Sequence, residues 1–86
     1  MDSSNTGVLI ELSRLDAVTG KLDEARERLR PILAAQPHNF EALATMAYIE
    51  AKLQDWTTAA RFYQQALAIQ DAPTLRQALA QLPPGK

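Results

Sequence analysis

Side chains that could support catalysis or bind a metal are few in this sequence. The only histidine is His38, in the segment QPHN, and there is no cysteine. A zinc site needs several converging ligands, so a single histidine in a turn is better interpreted as a solvated side chain than as a metal ligand or a general base. We therefore expect no metal site and no cofactor.

The acidic cluster Asp23, Glu24 and Glu27 is a second group that could do chemistry. Arginines alternate with these residues in the segment DEARER, three and four positions away. That spacing favours a solvated, ion-paired helix face over an acid–base pair. The tripeptide TGK at 19–21 lacks the remainder of the phosphate-binding pattern G-x-x-x-x-G-K-[ST]. The sequence thus predicts a protein that is not an enzyme.

Charge and hydropathy exclude further classes of function. The 86 residues include nine Lys and Arg against ten Asp and Glu, a formal net charge of −1. Nucleic-acid-binding domains usually show a basic excess or a basic face, and no apolar segment of the sequence approaches the ~20 residues of a membrane-spanning helix. We expect no nucleic-acid partner, no membrane insertion and a cytoplasmic location, unless the chain is a fragment of a longer or exported protein.

The spacing of apolar residues predicts two helices before the QPHN turn. The first has an apolar stripe at spacings of three residues: Leu9, Leu12, Leu15 and Val18. It ends at Gly20, since glycine permits a left-handed turn. The second runs through KLDEARERLRPILAA and is interpreted as one helix bent at Pro31; two short helices broken at Arg30 are the alternative.

Three more helices are predicted after this turn. FEALATMAYIEAKL follows Asn39, a favourable capping residue, and WTTAARFYQQALAI follows the short turn QD. The last, TLRQALAQL, is shorter and presents an apolar face for covering the preceding helices: Leu75, Ala78, Leu79 and Leu82. No segment alternates in the manner of a strand, so the protein should be all-helical.

The helices repeat with a period of 34 residues. Aligned pairs are Leu22 and Trp56, Ala25 and Ala59, Leu29 and Tyr63, Leu12 and Met46, and Leu15 and Ile49. A helical hairpin every 34 residues is the period of the tetratricopeptide repeat, and the sequence resembles that family closely. Ala25 and Ala59 match its small alanine early in the second helix, where two helices approach closely. Pro37 matches the proline that closes a repeat.

The sequence also departs from the family pattern in the first helix of each hairpin. Leu9 and Leu43 lie where the family often has tryptophan. Asp16 and Glu50 replace an aromatic residue late in the helix, which is the clearer difference.

The resemblance implies an all-α fold, an α-solenoid of two helical hairpins plus one capping helix, with right-handed superhelical stacking. A flexible N-terminal segment is expected at 1–6 and a single domain at 7–86. Repeat 1 would span about 6–39, repeat 2 about 40–73 and the capping helix about 74–82.

In this family the first helices of the hairpins line a concave groove that takes segments of partner proteins. The candidates in this chain are the first-helix residues off the predicted core stripe: Ile10, Arg14, Ala17, Val18, Glu41, Ala44, Tyr48, Ala51 and Lys52. Tyr48 and Arg14 come first, because aromatic and arginine residues are enriched at binding hot spots. The lysines and asparagines with which one subfamily binds acidic chaperone tails are absent, so chaperone-tail binding is not expected.

Two functions of different classes follow from the resemblance. The first is a non-catalytic interaction module, a scaffold or adaptor that binds a protein or peptide partner in the groove. The alternative is a self-associating structural unit, a homodimer or larger, that docks through its apolar groove or end faces, because exposed apolar patches often mark interfaces. Charge, motifs and length do not separate the two.

Overall fold

Five α-helices make up most of residues 3–83, the part of the chain that the computed structural model describes. They are α1 (Ser3–Val18), α2 (Leu22–Ala35), α3 (Phe40–Lys52), α4 (Trp56–Ile69) and α5 (Pro73–Gln81). No strand occurs among the described residues. Consecutive helices pack against each other, and α1 also contacts α3. The predicted all-α helical-repeat fold is confirmed.

Local chemistry at the turns sets where the helices begin and end. Asn39 Oδ1 accepts a hydrogen bond from the Ala42 amide at 3.0 Å, which satisfies a free donor in the first turn of α3. Asp55 does the same for α4 by accepting from the Thr58 amide at 3.3 Å. Gly20 has a φ of +95° and turns the chain after α1. The predicted Asn39 cap and glycine turn are both present.

Two helices have bounds that can be compared directly with those predicted from the sequence. α2 continues through Pro31 to Ala35, so it is one helix and not two helices broken at Arg30. α1 begins at Ser3, so the backbone of residues 3–6 is helical although the sequence analysis placed it in a flexible segment. Met1 and Asp2 lie outside the described residues.

The buried side chains form two clusters that meet at α3. The first cluster joins α1, α2 and α3 through Ile10, Ala17, Ala25, Leu29, Ile32, Ala42, Met46 and Ile49. The second joins α3 and α4 through Ala47, Ala59 and Tyr63. α5 and the residue that follows it pack on this cluster with half-buried Leu75, Ala78, Leu79 and Leu82. Because α3 contributes to both, it is covered on two sides.

The apolar stripe predicted for α1 is wrong. Leu12, Leu15 and Val18 are 41%, 59% and 65% exposed, and only Leu9 of the four packs against the core. The side chains of α1 that are buried are mostly smaller: Ile10, Ser13 and Ala17. The helix has apolar residues on two opposite faces, and the three-residue spacing pointed to the face that no other helix within residues 3–83 covers. Ile10 and Ala17, predicted to lie off the core stripe, are therefore core residues.

Asp16 and Glu50, the acids that stand where the family pattern has an aromatic residue, each form an ion pair with an arginine of α2. Asp16 Oδ2 lies 2.8 Å from Arg28 Nη2, within the first hairpin. Glu50, only 5% exposed, has its Oε1 3.5 Å from Arg26 Nη1, which reaches from α2 across to the second hairpin. α2 therefore supplies a cation to both equivalent acids, and one of the two pairs joins the hairpins.

Candidate partner-binding groove

A cleft of about 440 Å³ runs along one side of α1 and α3 and reaches the start of α5. These three are the first helices of the successive helical units, so the cleft lies on the face that the sequence analysis assigned to partner binding. Its lining is mostly apolar and consists of Ile10, Glu11, Arg14, Val18, Phe40, Glu41, Ala44, Thr45, Tyr48, Ala72, Thr74 and Leu75. We call this cleft the groove.

The structure brings six of the nine candidate residues to the groove: Ile10, Arg14, Val18, Glu41, Ala44 and Tyr48. Ala17 is buried in the core. Ile10 is only 4% exposed, so it forms part of the core as well as of the groove wall. Ala51 and Lys52 do not line the groove. Ala51 packs against the second cluster, and Lys52 Nζ lies 5.4 Å from the centroid of the Tyr48 ring, a cation–π geometry.

The charged side chains of the groove centre on Arg14. Its guanidinium donates a hydrogen bond to the Glu11 carboxylate one turn earlier. This bond and the charge of Glu11 raise the pKa of Arg14, with a further contribution from the charge of Glu41 on α3. Arg14 therefore stays charged and lies in the field of two carboxylates, which leaves an acidic excess along this wall.

A comparison with family models decides the family. The model described as tetratricopeptide repeat matches residues 19–82. This chain belongs to the tetratricopeptide repeat family. Searches of the curated proteins and of the solved structures gave no significant match. Tetratricopeptide repeats are generally non-catalytic modules that mediate protein–protein interaction.

The family match includes α5. The matched residues run from the end of α1 to just beyond α5, so the last helix is part of the tetratricopeptide array. Sequence reasoning treated α5 only as a cover and therefore missed Ala72, Thr74 and Leu75 as groove residues. It also missed Phe40, a half-buried residue at the start of α3 that lines the groove. If α5 had been interpreted as the first helix of a third repeat, equivalent to α1 and α3, this end of the groove would have been identified.

A second hollow of about 540 Å³ lies where α2, α3 and α4 meet, away from the groove of the tetratricopeptide array. Exposed His38 lines this hollow together with Pro37 and Ile69. Within residues 3–83, no group of three or more His, Cys, Asp or Glu could hold a metal ion. No helix in the same range is long and apolar enough to cross a membrane.

Proposed function

We propose that this tetratricopeptide repeat chain binds a short segment of a partner protein in the groove. The observation that supports this most is the combination of half-buried aromatic and apolar side chains with an ordered charged cluster in one cleft. Tyr48, Phe40 and Leu75 leave part of their apolar surface open there. Such surfaces are suited to receive one or two large side chains of a partner.

The charges of the groove favour a partner segment of particular composition. Arg14 is already paired with Glu11, so a partner carboxylate would have to displace an existing ion pair. A lysine or arginine of the partner would instead be attracted by the net negative charge that Glu41 adds to the Arg14–Glu11 pair. We therefore propose a segment in which an apolar side chain lies next to a basic one.

The test selects peptides from a random displayed library on the folded protein and measures their affinity for variants. Ala44→Arg places a long side chain in the groove from a half-buried alanine, and Ala34→Arg makes the same change at an exposed alanine of α2 outside both hollows. We expect Ala44→Arg and Tyr48→Ala to weaken binding by roughly tenfold or more. Ala34→Arg should bind as the unchanged chain does.

Two results would contradict the proposal. One is a set of selected peptides that bind Ala44→Arg as tightly as the unchanged chain, provided that circular dichroism shows the variant to be folded. The other is selection of predominantly acidic peptides, which would contradict the charge argument and leave the location of binding to be judged from the variants.

A further inference from the structure

α3 presents two adjacent rows of side chains to the groove. Phe40 and Ala44 are four residues apart, and so are Glu41 and Thr45. Residues with this spacing lie one above the other on a helix. All four line the groove, and Tyr48 lies one turn further along, beside the end of both rows. We call Phe40 and Ala44 the apolar row, and Glu41 and Thr45 the polar row.

The two rows lie on different sides of α3. Ala44 comes three residues before Ala47, which belongs to the cluster that α4 and α5 complete. Thr45 comes three residues after Ala42 and four before Ile49, which pack in the cluster with α1 and α2. The apolar row therefore lies on the α5 side of the groove, and the polar row lies on the α1 side.

The polar row contains a hydroxyl group that is nearly buried. Thr45 is only 7% exposed, although it lines the groove. No hydrogen bond joins its hydroxyl to another group in the described part of the chain, whereas the buried Ser13 hydroxyl donates to the Leu9 carbonyl oxygen at 2.9 Å. A nearly buried hydroxyl without a partner is destabilising, so a hydrogen-bond donor supplied by a bound segment would be favoured there.

The polar row also carries a negative charge. Glu41 lies one turn before Thr45, and Arg14 does not neutralise it because the Arg14 guanidinium is paired with Glu11. A carboxylate and a hydroxyl one turn apart offer several acceptor oxygens to one cationic group. Lysine and arginine side chains carry three and five donors and no acceptor. The polar row therefore fits a basic side chain, while a partner carboxylate would be repelled by Glu41.

We infer that Thr45 is a specificity-determining residue whose hydroxyl accepts a hydrogen bond from the basic side chain of the bound segment, with Glu41 balancing the charge. This inference rests on the proposed groove function. It assigns the basic side chain to the polar row and its apolar neighbour to the apolar row, with the aliphatic stem of the basic residue against Tyr48. Because hydrogen bonds to charged groups are stronger than neutral ones, Thr45 should discriminate between a basic and an apolar residue.

The test is a double-mutant cycle between Thr45 and the basic residue of a peptide. The probes are the tightest-binding peptide of the displayed library that contains one basic residue, and its copy with norleucine at that position. Isothermal titration calorimetry measures both on the unchanged chain and on Thr45→Val, which replaces the hydroxyl by a methyl group of similar size. We expect Thr45→Val to weaken the basic peptide roughly tenfold and the norleucine copy by less than about twofold.

Further variants separate recognition from packing. Thr45→Ser keeps the hydroxyl and should retain the preference for the basic peptide. Glu41→Gln changes an exposed residue, so it tests the polar row even if Thr45→Val folds poorly, and it should reduce the preference. Glu24→Gln removes an exposed charge of α2 outside the groove, and Thr74→Val removes an exposed hydroxyl at its α5 end. Both controls should leave the preference unchanged.

Equal weakening of the two peptides by Thr45→Val would overturn the inference, because Thr45 would then act on the shape of the groove and not through its hydroxyl. So would a norleucine copy that binds the unchanged chain as tightly as the basic peptide, or a library that yields no peptide with a basic residue. If Ala44→Arg abolishes binding in those cases, the groove function stands and only the role of Thr45 is wrong. Binding that neither Ala44→Arg nor Thr45→Val weakens would overturn both.

Discussion

The two hairpins share one 34-residue framework but have different surroundings. α3 lies between α2 and α4, and its residues Met46 and Ile49 are 4% and 0% exposed. In the part of the chain that the structure describes, α1 has helices on one side only, and the equivalent Leu12 and Leu15 are 41% and 59% exposed. The same apolar spacing therefore makes a core in one hairpin and a surface in the other. Position in the stack, more than residue type, decides which side chains are buried.

The two hairpins should differ most in how much stability the chain loses when a charged residue is introduced at equivalent positions. Met46→Lys puts an ammonium group into the cluster between α2 and α3, and an unpaired buried charge costs several kcal/mol, so we expect the chain to unfold. Leu12→Lys changes an exposed residue and should alter the free energy of unfolding by about 0.5 kcal/mol or less. Urea unfolding at low protein concentration, followed by far-ultraviolet circular dichroism, measures both. Equal losses would show that Leu12 is covered in the folded monomer.

Removal of α5 should make the second end of the molecule resemble the first. Deleting residues 74–86 uncovers the cluster of Ala47, Ala59 and Tyr63 and removes three half-buried leucines. A fully buried leucine contributes ~1.5–3 kcal/mol, so the three together contribute several kcal/mol to a total of about 5–15. We expect loss of the cooperative thermal transition, or aggregation. Deletion of residues 84–86 alone is the control, and an unchanged cooperative transition of the longer deletion would contradict this prediction.

A smaller difference in the free energy of unfolding is expected when the ion pairs of the equivalent acids Asp16 and Glu50 are removed one at a time. Arg26→Ala leaves the carboxylate of Glu50, 5% exposed, without its cation, and should lower the free energy of unfolding by about 3 kcal/mol. Arg28→Ala leaves Asp16, whose side chain is 20% exposed, and should cost about 1 kcal/mol. Urea midpoints of the two variants measure the difference. A larger loss of unfolding free energy for Arg28→Ala would contradict this prediction. It would show that the ion pair within the first hairpin stabilises the chain more than the pair between the hairpins does.

The smallest effect is confined to alkaline pH and to the second hairpin. Burial raises the pKa of the Tyr63 phenol above its ordinary 10.0, with a smaller contribution from Tyr48, whereas the equivalent residue of the first hairpin is Leu29. Below about pH 10 both the folded and unfolded chains keep this proton; above it the unfolded chain releases the proton first. The free energy of unfolding should therefore fall as pH rises above about 10. Urea unfolding from neutral to alkaline pH should show a shallower fall for Tyr63→Phe, and identical slopes would show that Tyr63 does not titrate differently in the two states.

Much of the fold could be predicted because its signals are local. The helical spacing, the Asn39 cap and the glycine turn each depend on residues close together in the chain, and all appear in the structure. Six of the candidate residues line the groove, because the family resemblance pointed to the first helices and helical spacing puts Arg14 of α1 and Tyr48 of α3 at equivalent positions. Leu75 and Ala72 were not found, because their place in the groove depends on how α5 docks beside α3.

The sequence by itself determined that this chain forms helical hairpins, where the turns fall and which faces of each helix are apolar, because these properties follow from periodicity and turn chemistry. Only the tertiary structure decided which apolar face of α1 is buried, that Arg26 reaches Glu50 across the hairpins, and that α5 closes one end of the groove. An apolar face is buried only where a neighbouring helix covers it. The number of such neighbours is set by a helix's place in the stack, which no local pattern records.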